Sequence, residues 1–373
     1  RFGDRFVLLQ KRAELVSWAA RRPAQNQMNW KIEAVPELTG YTIEWAAPKN
    51  FFLSRRNRIF HSTNLKPPFR EIARIDAPFW KEKLSGLRPA QRLLRFMVTN
   101  VIPLSEDGGE LFVTFDKSVG TIKNGNFQHL KNLARPCRVL RAACAVNQAG
   151  DIFFGEYLAN QERGEMRVYC RRKGSDALET VYVFPPRSIK HIHGLYFDRS
   201  TNSIFCLTGD DEKECRVLRT TDEFRTLETI GEGDETWRAV SVLFTENALF
   251  YGTDAEFRAN CIYRVERETL ERKILGQVNG TVFYSKRLGD DLFFTTTAEN
   301  APSQTENVAA LWRAGVGGGD LKRLAAFQKD RWHTSLFQFG TIHFPFENRL
   351  ENELYFHLVG VLEDNRTFRL SRN

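Results

Sequence analysis

The sequence contains no apolar run long enough to cross a membrane as a helix. Its 30 phenylalanines cluster in short, strand-like runs such as Ile152-Phe153-Phe154 and Leu292-Phe293-Phe294. A membrane-spanning helix needs about 20 consecutive apolar residues, and none of these runs approaches that length. With 42% hydrophobic residues in 373, the chain can instead bury a large core in one or two domains.

The short signatures of several enzyme classes are also absent. The sequence has no nucleophile elbow, no P-loop and no dinucleotide-binding fingerprint. Gly317-Gly318-Gly319 predicts a tight turn rather than a phosphate loop, because no helix follows it. No run of Lys and Arg is long enough to form a nucleic-acid-binding tail. We therefore expect no nucleic-acid partner.

No two cysteines form a CxxC pair, which argues against a zinc knuckle. Cys206 stands inside an apolar strand, where a buried thiol is the ordinary outcome. The set predicts reduced core thiols and so favours the cytoplasm. Because the first residue is Arg1 and not Met, a processed, exported chain is the alternative. The six cysteines are Cys137, Cys144, Cys170, Cys206, Cys215 and Cys261.

The chain is basic, with 54 Lys and Arg against 46 Asp and Glu, a net charge of +8. An excess of this sign favours anionic partners such as an acidic polysaccharide or a membrane surface. The alternative is a basic surface that serves solubility alone.

Residues 5–20 have helical periodicity, with one apolar stripe and a basic remainder. The helix could pack on the body of the protein, or residues 2–22 could contact a membrane surface or a partner protein. Residues 23–29 are polar and predict a linker, so we divide the chain into a helix and linker over 1–39 and a β-domain over 40–373. The stripe consists of Phe2, Phe6, Leu9, Ala13, Val16 and Ala20.

The stretch from Ile189 to Asp210 predicts a β-hairpin. Its first half alternates between two faces, residues 198–202 form a polar turn, and a second strand ends at Gly209-Asp210. A hairpin brings its two open ends together. His191 or His193 should therefore lie near Asp210.

A strand motif resembling the second half of this hairpin occurs seven times, roughly 40 to 60 residues apart, which is the period of propeller blades. Four short strands per repeat predict an all-β fold, a seven-bladed β-propeller with a short N-terminal helix. Two β-sandwich domains would not explain the recurrence. Residues 40–47 could be the strand that closes the ring. The seven motifs begin at Arg58, Glu110, Asp151, Ser203, Ala248, Asp291 and Glu353.

In such a ring, the starts of first strands and the ends of second strands meet around the axis on one face. Carboxylates, imidazoles, guanidiniums and a phenol should converge there, as in a small-molecule or glycan site. We predict catalytic roles for His193, Arg238, Tyr284, Asp210, Asp254 and Glu299. We predict substrate-binding roles for Glu156, Tyr157, Asn160, Arg163, His191, Trp237 and Lys329. Arg138 or Arg141, together with Gln338, should stand in the same ring.

Each of these residues also has an ordinary structural explanation. Acids at strand ends often cap turns, His193 could be a satisfied core histidine, and the loop charges could simply be solvated. No cofactor is required by the pattern. A divalent metal held by His191 or His193 with Asp210 is the one cofactor that the residue types suggest.

The segments GEYLAN, HIHGLYFD, TGD, GTDAE and TTTAE, with the Trp237-Arg238 strand, resemble the sialidase-like, BNR-type propellers of bacterial polysaccharide gene clusters. Residues 220–227, TTDEFRTL, resemble a degenerate Asp-box, with Phe224 in place of Gly and Leu227 in place of Trp. The resemblance covers residues 50–370 and implies a propeller fold in a carbohydrate context. Complete Asp-boxes and the sialidase arginine triad are missing, so it does not imply sialidase activity.

Two functions follow from these observations. The first is a polysaccharide lyase or glycoside hydrolase acting on an acidic glycan, with Arg238 neutralising a uronate and His193 or Tyr284 removing a proton, or with two carboxyls flanking the bond. The second is a propeller that binds a glycan or a protein without turnover. Both predict that His193 and Arg238 share one pocket.

Overall fold

A computed structural model of the protein describes residues 30–105 and 108–372. The predicted N-terminal helix lies outside the described residues. Two short α-helices, α1 (Phe79–Leu84) and α2 (Arg88–Leu94), and two 3-10 turns, Pro36–Leu38 and Glu235–Trp237, accompany a fold made otherwise of strands. Within the described ranges, no helix is both long and apolar enough to span a membrane.

The strands fall into six sheets. A nine-stranded sheet contains β2 (Thr42–Ala47), β3 (Asn50–Arg55), β4 (Arg58–Ser62), β5 (Arg70–Arg74), β6 (Val98–Pro103), β7 (Glu110–Phe115), β8 (Ser118–Lys123), β9 (Asn126–His129) and β27 (Glu347–Asn348). The next sheet has four strands, β10 (Ala145–Val146), β11 (Ile152–Gly155), β12 (Met166–Arg171) and β13 (Leu178–Phe184). The sheet after it also has four, β14 (His191–Asp198), β15 (Ser203–Gly209), β16 (Cys215–Thr220) and β17 (Glu228–Gly233). A further four-stranded sheet consists of β18 (Ala239–Phe244), β19 (Ala248–Thr253), β20 (Cys261–Glu266) and β21 (Arg272–Gln277). It is followed by the sheet of β22 (Val282–Leu288), β23 (Asp291–Thr296), β24 (Val308–Gly315) and β25 (Lys322–Gln328). The last contains β26 (Thr341–His343), β28 (Glu353–Val359), β29 (Thr367–Arg372) and β1 (Trp30–Ala34).

Within the nine-stranded sheet, two antiparallel meanders are joined by a single parallel residue pair. β2 to β5 form one meander and β6 to β9 the other, and only Arg74 and Asn126 pair between them. Each meander therefore has the same strand order as the separate four-stranded sheets.

Both ends of the described chain meet in the last sheet. β1 pairs antiparallel with β29, from Trp30 opposite Arg372 to Ala34 opposite Phe368. Residues 40–47 do not add a strand to the last sheet, because Thr42–Ala47 is the first strand of its own meander. That strand nevertheless joins the end of the chain by pairing in parallel with β27, Trp45 opposite Glu347. β1 lies within residues 1–39, the segment that the sequence predicted as a helix and linker, and its backbone completes the last sheet.

Most of the recurring motifs lie where the sequence predicted, on the second strand of a meander. The exception is the run starting at Arg58, which is the third strand; the second is Asn50–Arg55. The two strands have nearly the same apolar pattern and are separated by only two residues, so their sequences do not reveal which one lies nearer the axis.

Paired phenylalanines in these second strands explain how neighbouring sheets adhere. Successive side chains on a strand point to opposite faces. Phe153 accordingly packs in a cluster with the sheet that follows, and Phe154 in a cluster with the sheet before it. Both are fully buried. The phenylalanine-rich composition is therefore a consequence of sheets packed face to face on both sides.

The Asp-box-like segment forms a tight turn between β16 and β17. Asp222 Oδ1 accepts hydrogen bonds from Thr220 Oγ1 and the Thr226 amide, each at 2.9 Å. Phe224, which stands where the motif has glycine, has φ of 72° and is buried. That left-handed backbone is the reason glycine suits the position. All six cysteines are free and buried, as predicted.

Candidate functional site

The starts of the first strands and the ends of the second strands surround a cavity of about 550 Å³. Both sets of strand ends lie on the same side of the molecule because each first strand runs antiparallel to its second. Eight residues from the predicted rings line the cavity: Tyr157, His193, Asp210, Arg238, Asp254, Tyr284, Glu299 and Gln338. Arg138 and Arg141 both line it as well.

Irregularities in the first strands occur next to this cavity. β2, β6, β14, β18 and β22 each shift register against their second strand near the strand start. A bulge inserts an extra residue and re-aims the side chains beside it. In β14 the extra residue is His193, between Ile192 and Gly194. The bulge breaks the simple alternation expected from the sequence.

His191, His193 and Asp210 form one cluster, as the hairpin predicted. Asp210 Oδ1 lies 3.2 Å from His193 Nε2 and 3.3 Å from His191 Nε2, and the two Nε2 atoms are 3.2 Å apart. Both histidines are buried. The ring of Tyr157 lies against His191, with centroids 4.2 Å apart.

The other nitrogen of each ring fixes the tautomer. His191 Nδ1 lies 2.9 Å from the Leu158 carbonyl oxygen, and His193 Nδ1 lies 2.9 Å from the Ala239 carbonyl oxygen. A carbonyl only accepts, so both Nδ1 atoms carry the proton. In the neutral rings both Nε2 atoms are then bare acceptors. Three lone-pair-bearing atoms, two nitrogens and Asp210 Oδ1, therefore face one another.

Asp210 is surrounded by cations. Lys190 Nζ donates to Oδ2 at 2.7 Å, and Arg238 Nη2 lies 3.1 Å from Oδ1. Burial favours the protonated carboxyl, yet the pKa of Asp210 lies well below its usual range. Lys190 and Arg238 favour the ionised carboxylate, whereas His191 and His193 can donate hydrogen bonds to it only in a form that carries a proton on Nε2. For His193, burial dominates and lowers the pKa despite the contact with Asp210.

Arg238 joins Asp210 to Asp254, with Nε 3.1 Å from Asp254 Oδ2. Burial raises the pKa of Asp254 well above its ordinary value, although Arg238 opposes the shift. Burial also raises the pKa of Glu299, against hydrogen bonds from Thr281 and Thr297. The cavity thus holds an ionised carboxylate, Asp210, and two carboxyls that retain protons more readily than free acids do.

Glu156 does not line the cavity, in contrast to its predicted substrate-binding role. It is fully buried and held by Arg135, whose Nε and Nη2 lie 3.1 and 2.5 Å from the carboxylate oxygens, and by the Tyr169 hydroxyl at 2.9 Å. Glu156 immediately precedes Tyr157, which does line the cavity, and successive strand residues point to opposite faces. The sequence alone does not show which of the two faces the cavity.

Four other predicted substrate-binding residues also lie away from the cavity wall. Trp237 covers Gly231 and stacks on Tyr251. Asn160 donates to the Lys190 carbonyl at 2.8 Å, which ties its loop to the start of β14. Arg163 forms ion pairs with Asp211 and Glu214. Lys329 forms an ion pair with Asp330. His191 does not line the cavity itself but contacts His193, Tyr157 and Asp210, which do.

Sequence reasoning missed several residues of the wall. Arg95, Asp116 and His343 line the cavity, and Lys190 contacts Asp210 from outside it. Arg95 ends helix α2, whose insertion no propeller pattern predicts. Lys190 adjoins His191 in sequence, so its charge was a signal that could have been used.

No protein-family model and no curated protein matches the sequence. Solved structures match its fold. An oligogalacturonate lyase in complex with manganese aligns with a TM-score of 0.60 at 8% identity, covering 93% of this chain and 94% of that one. A chain of a mitotic checkpoint complex gives 0.55 at 11%, covering 94% and 96%. An ancestral GH74 enzyme gives 0.51 at 12%, covering 88% of this chain and 46% of that one.

These likenesses establish a nearly all-β, propeller-type fold. The same fold serves a lyase, a glycoside hydrolase and a chain of a checkpoint assembly, so it does not by itself decide among catalysis, binding and scaffolding.

Proposed function

We propose that the protein is a glycan-active β-propeller that binds an acidic oligosaccharide in the axial cavity and cleaves it. One observation carries the proposal: the cavity wall contains four guanidiniums, those of Arg95, Arg138, Arg141 and Arg238, of which that of Arg141 is paired with Glu44. Among the described residues no carboxylate pairs with Arg95, whereas Arg138 lies 3.5 Å from Asp116. Guanidiniums are suited to bidentate recognition of carboxylates, and an arginine without an acidic partner is available to a uronate.

Two cleavage chemistries are compatible with the wall. Elimination needs a cation at the uronate carboxylate and a base for the adjacent proton. Arg238 would supply the first, and Tyr284 the second; His193 is the alternative base only if its Nε2 does not hold a metal, because its Nδ1 already carries a proton. Hydrolysis needs a proton donor and a second carboxyl, and the raised pKa values of Glu299 and Asp254 suit the donor role. The lyase and the GH74 neighbours support a glycan context without choosing between the two.

We further propose that the cofactor is a divalent metal held by His191 Nε2, His193 Nε2 and Asp210 Oδ1. A metal with bonds of 2.0–2.1 Å to nitrogen or oxygen separates adjacent ligand atoms by about 3.0–3.4 Å, and the three separations here are 3.2, 3.2 and 3.3 Å. The Nδ1 hydrogen bonds to Leu158 and Ala239 provide the second shell that orients such ligands. A bound cation would also polarise a uronate oxygen.

Metal analysis of the purified protein tests this second proposal. We expect about one equivalent of metal per chain after manganese or zinc loading and gel filtration. His193→Ala should abolish it, whereas the exposed His333→Ala should retain it. A His193→Ala protein that is folded and retains the full metal content contradicts the assignment.

Calorimetric titration with a galacturonate trimer tests the glycan proposal. The parent should bind it and not bind a neutral glucose trimer. Arg95→Met should weaken binding about tenfold or more, whereas Arg225→Met, on the exposed β16–β17 turn, should not. Unsaturated-product absorbance and reducing ends then separate elimination from hydrolysis. If Arg95→Met binds every acidic oligosaccharide tested as tightly as the parent does, the cavity is not the glycan site.

We also propose a seven-bladed ring, for which the two meanders of the nine-stranded sheet and the five separate sheets are the support. Kinship with the sialidase-like group remains part of the proposal and is supported by the hydrogen-bonded turn around Asp222. The second candidate function is a non-catalytic glycan-binding or interaction propeller. It is favoured if the galacturonate trimer binds without any product.

A further inference from the structure

Helices α1 and α2 are amphipathic in the reverse of the usual sense. A helix on a folded protein normally turns apolar residues inward. Here α1 buries none of its residues, and the one buried residue of α2 is Arg92. Facing outward are five large apolar side chains with exposed fractions between 48% and 71%: Phe79, Trp80, Leu84, Leu87 and Leu93.

This arrangement is held rigidly by ion pairs. Arg88 binds both carboxylate oxygens of Asp364 at 2.7 and 2.9 Å. Arg92 binds Asp330 and donates to the Gln338 carbonyl at 2.6 Å. The two arginines therefore fasten α2 to the loops of the last two sheets, and its apolar side chains face outward.

Exposed apolar residues gather on the side of the molecule that carries the cavity. Loops that precede a first strand or follow a second strand open onto that side, and they carry eight of the eleven large apolar residues exposed in the described chain. Besides the five on the helices, these are Phe257, Leu336 and Leu362. The other three are Val183 and Ile274 on outermost strands and Leu270 on the opposite side. A distribution this one-sided marks a surface that contacts something apolar.

Charge and residue type identify that contact. Of the five cations in residues 79–95, Arg88 and Arg92 are paired with Asp364 and Asp330, and Lys81 is paired with Asp116. Among the described residues no acid pairs with Lys83 or Arg95, so these two carry the uncompensated positive charge of the helices. Lys83 Nζ lies 4.7 Å from the centre of the Phe79 ring, and Lys81 Nζ lies 5.9 Å from that of Trp80. Aromatic side chains flanked by lysines are the composition of helices that lie in the interface of an anionic membrane.

We propose that the cavity-bearing side of the protein docks on an anionic lipid bilayer through α1 and α2, with Phe79, Trp80, Leu84 and Leu87 in the interface. The mouth of the cavity then faces the membrane. Where the proposed glycan function also holds, the substrate is an acidic glycan displayed on a membrane surface, and this last step alone rests on that function.

Vesicle sedimentation of the full chain tests the docking. The parent should sediment with phosphatidylglycerol–phosphatidylcholine vesicles and not with pure phosphatidylcholine, and raised salt should weaken binding. The double variant Trp80→Ser/Leu87→Ser should bind about tenfold more weakly or worse, because two interfacial anchors are lost. Ile274→Ser, which removes an apolar residue of 61% exposure from an outermost strand, should bind like the parent.

Three results overturn the proposal. The parent could fail to bind anionic vesicles, or the double variant could bind as well as the parent, in which case the contact runs through residues 2–22 or another surface. Alternatively, light scattering could reveal a dimer that the double variant abolishes, in which case the occupant is a second copy. Galacturonate-trimer titration of the double variant separates this test from the glycan proposal, because its soluble-ligand affinity should equal the parent's.

Discussion

His193 and Arg238 contact the same oxygen atom, Asp210 Oδ1, at 3.2 and 3.1 Å. They stand at the starts of first strands in neighbouring sheets, and Asp210 follows the second strand of one of them. The sequence prediction that they share one pocket is therefore confirmed. The arrangement also shows that Arg238 is a structural partner of two acids as well as a cation exposed to the cavity.

Arg238→Ala should lower the free energy of unfolding by about 1–3 kcal/mol, because Asp254 loses its hydrogen bond from Arg238 and, with its pKa already raised by burial, is driven further toward the protonated form. Chemical denaturation of Arg238→Ala and of Arg238→Ala/Asp254→Asn measures the effect. The second substitution should recover part of the loss, and a double variant no more stable than Arg238→Ala would refute the explanation.

Phe205→Ala should cost about 3–5 kcal/mol, since a fully buried ring is replaced by a cavity between sheets. Phe257→Ala is the matched control, because its ring is 72% exposed and its loss should change stability by less than about 0.5 kcal/mol. Thermal or urea unfolding of both variants provides the comparison. Equal effects would contradict the placement of Phe205 in the core.

Stability should fall in acid through His357. Burial lowers the pKa of this histidine to about 3, against 6.5 ordinarily. The unfolded chain therefore takes up a proton below about pH 6.5 that the folded chain refuses, and the free energy of unfolding should fall by about 1.4 kcal/mol per pH unit toward pH 3. Above pH 6.5 both states are neutral at this site, so it contributes no pH dependence there.

Urea unfolding of His357→Gln between pH 7 and pH 4 tests this. The free energy of unfolding should fall less steeply with decreasing pH in this variant than in the parent, by about 1.4 kcal/mol per pH unit. Some pH dependence should remain, because burial also lowers the pKa of His343 well below 6.5. The exposed His129→Gln should keep the parent slope. An unchanged slope in His357→Gln would show that this histidine is protonated in the folded protein.

Glu44 and Arg141 form a second buried ion pair, with Arg141 Nη1 2.5 Å from Glu44 Oε2. Glu44→Gln should destabilise the protein by about 3 kcal/mol or more, because Arg141 then remains buried without a counter-charge. Glu44→Gln/Arg141→Met should be less harmful than the single change in urea unfolding. If the loss of stability in the double variant equals the sum of the losses in Glu44→Gln and Arg141→Met, the two side chains are not coupled and the explanation fails.

Strand order and the rough position of the site followed from repetition in the sequence. The recurring apolar motif located most second strands, and hairpin geometry then placed His193, Asp210, Arg238 and Asp254 at one end of them. Those steps needed only strand alternation and antiparallel pairing. They succeed because each sheet repeats the same local pattern.

What the sequence did not reveal depends on contacts between distant residues. Glu156 is held away from the cavity by Arg135, and Trp237 packs on Tyr251 and Gly231, contacts that the sequence does not indicate. Helices α1 and α2 were missed because their outward face is apolar and their inward face is basic, the opposite of the amphipathic pattern that identifies a packed helix.

The pairing of β1 with β29 has a mechanical consequence. Trp30 and Arg372 lie opposite each other at one end of this antiparallel pair. A force that draws these two residues apart acts across the ladder and loads its hydrogen bonds one pair after another, from Trp30 toward Ala34. The ring would therefore open by peeling from this corner at low force, whereas a pull along the strands would load all five residue pairs of the register together.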